Sequence, residues 1–489
     1  MICCVRLFTF KWFQQLSHAH SRSIMTQPNI LFIFPDQWRS DAMGCAGHPV
    51  VQTPYIDFMA SKGIRYTNAY SPVPSCIATR ASLATGMNQN KHGRLGYRDG
   101  VDWIYEHTMM RHLRDGGYQT MLTGKTHYHP QRTMCGFEKM ALYSSLTEPG
   151  FESDYHRWLR EKSDGLVKDT SLEMSSNSWL TRPWTADESL HPNAWTTDTA
   201  IDMIKDRDPL RPFFLQVGYH RPHPPLDPPI AWYNKLKDVD LPEVAIGDWA
   251  AAYANEVTDP FIYEFGQLPA DVLDDARRAY FAQIMHLDDQ IGRLLNHMRR
   301  NGLMQNTWVV FMSDHGELLG DHHGWRKQMP FESSAGVPLV VMPPMNGDYH
   351  DVCNTIDERP LTHADIMPTF LEIAGLKIPE CVDGKDILGD ESHEFIHGEH
   401  APCWQFVTDG KEKFAWQSTT GKRWFFDLQN DPTELKNLVN DPSFAQRVKL
   451  WEDRLIAILQ TRPEDGQVKD GKLVDGTSTP PVRDFLLKK

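Results

Sequence analysis

Ile30-Leu31-Phe32-Ile33-Phe34 is an unbroken apolar run, and Pro35-Asp36-Gln37 follows it at once. A strand that is apolar at every position, rather than at alternate ones, is covered on both faces, as strands of parallel sheets in α/β folds are. Similar runs lie at Tyr118 to Leu122, Pro212 to Val217, Asn306 to Met312 and Val337 to Met342. Helical patterns separate them. Thr53-Pro54 places an N-cap residue before a first-turn proline, with Gly63 closing that helix. Another helix is expected around Met109 to Arg114. In the longest, about Ala270 to Arg300, Tyr280, Ile284, Leu287, Ile291, Leu294 and Met298 form one helical stripe. This alternation predicts an α/β fold with a large mixed, mostly parallel sheet flanked by helices. From about residue 376 the texture changes to short strand-like pieces, Phe414 to Gln417 and Arg423 to Leu428 among them. The expected division is a catalytic α/β domain over 25–375 and a smaller α+β subdomain over 376–489. Tyr143 to Asn193, rich in Ser, Trp, Glu and Pro, reads as an insertion over one sheet edge.

The chain has 489 residues, with 50 Lys+Arg against 64 Asp+Glu and a net charge of −14. An acidic surface disfavours a nucleic-acid partner. No apolar run reaches the ~18 residues of a membrane span. The cysteines are scattered without metal-ligand spacing, so they read as thiols rather than a disulfide framework. Residues 1–24 form a leader or a mis-called start, because Arg6 and Lys11 break the apolar core that an export signal needs. Translation from Met25 implies a cytoplasmic protein, whereas a functional signal implies a periplasmic or secreted one. Oligomeric state is not legible.

Polar residues gather where strands end. Asp36 and Gln37 follow the first run, Lys125 and His127 the second, His220, Arg221 and His223 the third, and Asp314 and His315 the fourth. Open α/β sheets bind ligands beyond the carboxyl ends of their strands. Asp36, Asp314 and the Gln37 amide are hard oxygen donors suited to Ca²⁺, Mg²⁺ or Mn²⁺, and His315 adds a nitrogen. Arg80, Lys125, His127, His223 and Lys327 supply positive charge and protons. A divalent ion amid such groups suits attack on a tetrahedral oxyanion ester. Cys76 follows the loop Ser71-Pro72-Val73-Pro74-Ser75 and opens a helical segment, so it lies where a helix dipole favours anions, with Arg80 four residues on.

Cys76-x-Ala78-Thr79-Arg80 with Thr85-Gly86 resembles the motif of type I sulfatases, in the alkaline phosphatase superfamily. Gly124-Lys125-Thr126-His127, the Pro222 to Pro225 segment, and Ser313 to His322 with Lys327 downstream resemble the family's other blocks, in its order. The resemblance implies an alkaline phosphatase-like fold and a sulfuric ester hydrolase. Cys76 would be converted to formylglycine by a formylglycine-generating maturation enzyme. Its gem-diol would attack sulfate while the metal, Lys125 and Lys327 hold the oxyanions. His223 or Lys327 would protonate the alcohol, His127 would release the sulfate, and Arg80 would hold the diol. By motif position the metal ligands would be Asp36, Gln37, Cys76, Asp314 and His315, with Ca²⁺ as first choice and Mn²⁺ or Mg²⁺ as alternatives. The implied substrate is a small sulfated molecule, a carbohydrate sulfate among the candidates.

Departures point to alternatives. Ala78 and Thr79 replace the family's Pro and Ser. The Asp36-Gln37 and Asp314-His315 pairs are similar to those of phosphonate monoester and phosphodiester hydrolases, whereas the Lys125/His127 pair is similar to sulfatases. A third reading is an inactive metal-binding scaffold. His397, Glu399 and His400 suggest a metal by composition, but a place lining the substrate pocket fits better. Trp103, Trp179, Trp184, Trp195 and Trp404 are expected to pack rather than stack on a sugar.

Overall fold

The computed structural model describes residues 27–144, 150–169, 174, 177–255, 265–347 and 349–488. The leader at 1–24 and parts of the 143–193 segment lie outside them. The main sheet has eight strands: β1 (Asn29–Ile33), β2 (Ile64–Tyr66), β3 (Gln119–Gly124), β4 (Lys139–Leu142), β5 (Phe213–Gly218), β6 (Thr307–Met312), β7 (Leu339–Met342) and β8 (Thr355–Asp357). Their spatial order is β4-β3-β5-β1-β6-β7-β2-β8. The run from β4 to β6 is parallel throughout, and β7 is antiparallel to both its neighbours. The expected mixed, mostly parallel sheet is therefore present. The four strand ends that carry polar clusters, β3, β5, β1 and β6, are consecutive neighbours in it.

The apolar runs are continuous because each strand serves two cores. Leu31 and Ile33 face helices α1 (Pro54–Ser61), α4 (Pro192–Lys205) and α5 (Ala270–Arg300). Ile30 and Phe32 face α2 (Cys76–Thr85), α3 (Met109–Asp115) and α6 (Ile366–Ile373). Toward the C-terminus β9 (Ile396–His400), β10 (Trp404–Thr408), β11 (Glu412–Gln417) and β12 (Lys422–Asp427) form an antiparallel sheet, with helix α7 (Ala445–Leu459) against it. All five singled-out tryptophans are buried. Among the described residues the cysteines are free thiols, and no helix is long and apolar enough to cross a membrane.

Helix α1 begins at Pro54 as the sequence predicts, but the Thr53 side chain does not cap it. The Thr53 hydroxyl accepts from the Gly44 N–H at 2.8 Å. The cap comes instead from Asp288 on α5, whose carboxylate accepts from Tyr55 N at 3.1 Å and Ile56 N at 2.9 Å. Burial pushes the Asp288 carboxyl up to about 7. A folded-state pKa above the unfolded one means that the native state keeps this proton longer. Stability from this group is thus fully present below about pH 4 and falls until about pH 7, by at most about 1.4 kcal/mol per pH unit. Urea unfolding of Asp288→Asn is expected to lose that slope between pH 4 and 7 relative to the unsubstituted chain; identical slopes would show that Asp288 does not titrate there.

Candidate active site

Two glycines set the strand ends. Gly124 has φ +98°, and a Cβ there would lie 2.0 Å from the Gly218 carbonyl oxygen. A Cβ on Gly218 would lie 2.6 Å from the Lys125 carbonyl oxygen. Only glycine allows this approach, which lets Lys125 N–H donate to Gly218 O at 2.7 Å and turns Lys125 inward. Beyond β1, Gln37 adopts φ +70°. Its turn is fixed by Gln37 N–H donating to Asp314 Oδ1 at 3.0 Å and by the Tyr280 hydroxyl donating to Gln37 O at 2.7 Å.

Asp36 lies at the centre and is fully buried. Its carboxylate accepts from Lys125 Nζ at 2.6 Å and Arg80 Nη2 at 3.1 Å. Burial alone would raise its pKa, but the charges of Lys125 and Arg80 hold it well below the usual carboxylate range. Arg80 also donates to Asp314 Oδ2 at 3.0 Å and lies over the Phe34 ring. It thus bridges the two carboxylates. Cys76 is the first residue of α2, with Sγ 3.1 Å from His315 Nε2, 3.5 Å from Asp36 Oδ1 and 3.9 Å from Lys125 Nζ.

His315 donates Nδ1–H to the Gly316 carbonyl at 2.9 Å, so Nε2 is left as a lone pair facing Asp36 and Asp314, each at 3.6 Å. A histidine ligand needs this tautomer. One ligand atom from each of Asp36, Cys76, Asp314 and His315 lies within 4.8 Å of the others. Two buried carboxylate oxygens and one oriented imidazole nitrogen fit a divalent cation. Gln37 is engaged differently: its amide donates to Glu317 and its oxygen accepts from Lys327 Nζ at 2.6 Å. That oxygen keeps one lone pair for an ion.

His223 donates Nδ1–H to Pro224 O at 2.8 Å, and its Nε2 accepts from Lys327 Nζ at 3.0 Å. Burial, then the charges of Lys327 and Lys125, push its pKa well below the ordinary value, so the ring is neutral. Arg221 clamps this loop through two bonds to Asp227 at 2.7 and 2.8 Å. His220 stacks between Tyr143 and His223 with both ring nitrogens unpartnered. His127 also reaches this edge, with Nε2 3.3 Å from Asp99 Oδ1.

The chain matches the family model described as Sulfatase over residues 28–376 and that described as N-sulphoglucosamine sulphohydrolase, C-terminal, over residues 320–461. It is 39% identical to an arylsulfatase of Clostridium perfringens over 472 residues, covering 92% of this chain and 98% of that one. The chain belongs to the sulfatase family. It is also 24% identical to an N-acetylglucosamine-6-O-sulfatase of Bacteroides thetaiotaomicron, covering 86% of this chain and 84% of that one. Its fold is similar to that of the phosphonate monoester hydrolase of Agrobacterium radiobacter, with a TM-score of 0.73 at 23% identity, covering 89% and 96% of the two chains. This sulfatase is a sulfuric ester hydrolase, and its family works with a metal and formylglycine.

The site also contains groups that the sequence reading passed over. Glu317 fixes the Gln37 amide and accepts from Leu319 N at 2.9 Å. Asp99 meets His127, and Tyr97 meets Asp99 at 2.5 Å. Asp99 and Tyr97 stand in no recognisable block and do not directly follow a strand, whereas Glu317 lies inside the Ser313 to His322 block, in which the resemblance gives roles only to Asp314 and His315. The sequence's grouping of His397, Glu399 and His400 does not hold, because the strand pleat places His397 and Glu399 on one face, where both bond Gln405, and turns His400 to the other. His397 bonds Gln89 and Gln405, and Glu399 takes two bonds from Arg462. These two are committed to the C-terminal sheet, not to a pocket. Only His400, buried with Nε2 unpartnered, is close enough to His315 and Lys327 to feel their charge.

Gly124→Ala is expected to lower stability by more than about 1 kcal/mol and to cost activity as well, since the strained φ and the clash with Gly218 both move Lys125. Thermal unfolding together with kcat on an aryl sulfate tests this; wild-type behaviour in both would detach Gly124 from the placement of Lys125.

Proposed function

We propose that this sulfatase hydrolyses the sulfate ester of a small alcohol with Cys76 matured to formylglycine and Ca²⁺ held by Asp36, Asp314, His315 and Gln37. The observation that carries this reading is the position of Cys76 Sγ, at the start of α2 and within 4 Å of His315 Nε2, Asp36 and Lys125. Formylglycine, as a gem-diol, supplies one hydroxyl to attack sulfur and a second through which sulfate is later expelled. Held by Asp36, Asp314, His315 and Gln37, a divalent cation would neutralise charge on the sulfate oxygens.

The chain's own residues do the rest. Lys125 and Lys327, both buried, hold sulfate oxygens as ammonium groups. Arg80, bonded to both carboxylates, keeps them from swinging apart and presents positive charge beneath the nucleophile. The leaving alcohol takes its proton from Lys327. His223 has spent its only N–H on Pro224, and its Nε2 is an acceptor for the same ammonium. His223 therefore aims Lys327 rather than acting as the acid. His127 is the base of the second half-reaction.

Lys125/His127 support sulfate over phosphonate or phosphodiester. The relative named N-acetylglucosamine-6-O-sulfatase supports a carbohydrate sulfate as the substrate class. Maturation calls for a formylglycine-generating enzyme that tolerates Ala78 and Thr79.

The Cys76 peptide is expected to show the mass change from thiol to aldehyde, and matured protein is expected to turn over 4-nitrophenyl sulfate faster than an aryl phosphonate or phosphodiester. Full activity with an intact Cys76 thiol would sink the mechanism, and the reverse substrate ranking would favour the phosphonate reading. Lys125→Ala should lower kcat/KM by about 10²–10³-fold. Chelation should abolish activity, with Ca²⁺ restoring it better than Mg²⁺ or Mn²⁺.

A further inference from the structure

His127 has an arrangement that the motif comparison does not account for. Its side chain is 8% exposed, its backbone lies at φ +63°, and Nδ1 is buried without a hydrogen-bond partner. Nε2 lies 3.3 Å from Asp99 Oδ1, and the other Asp99 oxygen accepts from the Tyr97 hydroxyl at 2.5 Å. The Tyr97 ring stands edge-on to His127 at 6.0 Å. Burial alone would raise the Asp99 carboxyl, but the bonds from His127 and Tyr97 and the nearby Lys125 hold it below the usual value. Asp99 is therefore a carboxylate, which only accepts. The proton of a neutral His127 ring must then sit on Nε2, and the lone pair must sit on Nδ1.

The segment that presents Asp99 is held at both ends. Leu95 and Gly96 both donate their N–H to Pro481 O, at 2.8 and 3.0 Å, and Arg483 N–H donates to Gly93 O at 2.8 Å. The buried Arg94 guanidinium donates to the carbonyls of Val101 and Asp102, at 3.0 and 3.1 Å. Val482 and Leu486 pack on Val101. Asp99 thus stands on a clamped loop, although its own side chain is about half exposed. Substrate bound over this rim would cover it and strengthen its hold on the ring.

We propose that Asp99 is a positioning residue that fixes His127 as the Nε2–H tautomer and so makes Nδ1 the base that releases sulfate. The inference rests on the role given to His127 above. In the step it serves, Nδ1 takes the proton of the remaining formylglycine hydroxyl and that oxygen's electron pair forms the C=O bond. The carbon–oxygen bond to sulfate breaks, and sulfate leaves with its electron pair. Without Asp99 the ring divides between tautomers and turns more freely, so this half-reaction slows while the attack on sulfate does not.

The test uses the full chain in two forms. In unconverted protein with Cys76 intact, ¹⁵N spectra of the His127 ring, assigned by difference with His127→Gln, should show protonated Nε2 and unprotonated Nδ1. Asp99→Asn should give a mixture, and Asp99→Glu should restore the single form. In matured protein, Asp99→Asn should lower kcat on 4-nitrophenyl sulfate by about 10²-fold and lower KM along with it, leaving kcat/KM little changed, because only the step after attack slows. The Cys76 peptide should then carry a retained SO₃ group, and Asp99→Glu should recover part of the rate. A tautomer indifferent to Asp99, or a slowed variant without retained sulfate, would overturn the proposal. Failure of the formylglycine reading appears separately, as an unmodified Cys76 peptide, and leaves the tautomer measurement standing.

Discussion

A carboxylate buried with no access to water has to be paired, and Asp36 is paired with two cations at once. Each bond reaches a different part of the chain. Lys125 comes from the end of β3 and Arg80 from the first turns of α2, and the Asp36 backbone bonds Tyr219 and His223 beyond β5. Asp314 beyond β6 is tied in through the shared Arg80. Removing either cation would leave the buried carboxylate with only one partner to offset its desolvation cost, so the strand ends hold one another in place electrostatically. The same charges that stabilise the closed arrangement are those that a sulfate would meet. The site is preorganised because the fold requires those charges there in any case.

The acidic total of −14 is consistent with this. Charges farther away than a Debye length of about 8 Å are screened at the surface, whereas buried pairs are not. The substrate's sign is set by Lys125, Lys327 and Arg80 inside the site, and the excess of surface carboxylates bears on solubility rather than recognition.

The sequence made the sheet readable because each central strand is apolar on both sides, and it made the liganding groups readable because they come directly after those strands. Helix α5 was readable from its stripe, but the roles of two of its residues were not. Tyr280, counted among the apolar positions, uses its hydroxyl to hold Gln37, and Asp288 caps a helix more than two hundred residues earlier. Asp99 and Glu317 escaped for a similar reason. The contacts that bring them to the site, Asp99 with His127 and Glu317 with Gln37, cross between loops, and neither spacing nor periodicity encodes a contact that depends on how two loops meet. His400 shows the opposite error: it was grouped with His397 and Glu399 as a near neighbour in sequence, although the pleat turns it to the other face of β9.

The C-terminal sheet is more than an appendage. Lys413 of β11, fully buried, donates to Pro330 O at 2.8 Å and pairs with Glu332 and Glu434, which fastens the segment that follows Lys327. Gln328 N–H donates to Pro74 O at 2.9 Å, so this same segment is laced to the loop in front of Cys76. Ala401, just past β9, donates to Leu95 O, and the last residues of the chain hold the Asp99 loop. Lys327, Cys76 and His127, the residues proposed as acid, nucleophile and base, all lie before residue 330, yet each is tied to residues beyond 400 through the segment that follows Lys327 or through the Asp99 loop. A chain cut after α6 would keep nearly every motif and lose the contacts that aim them.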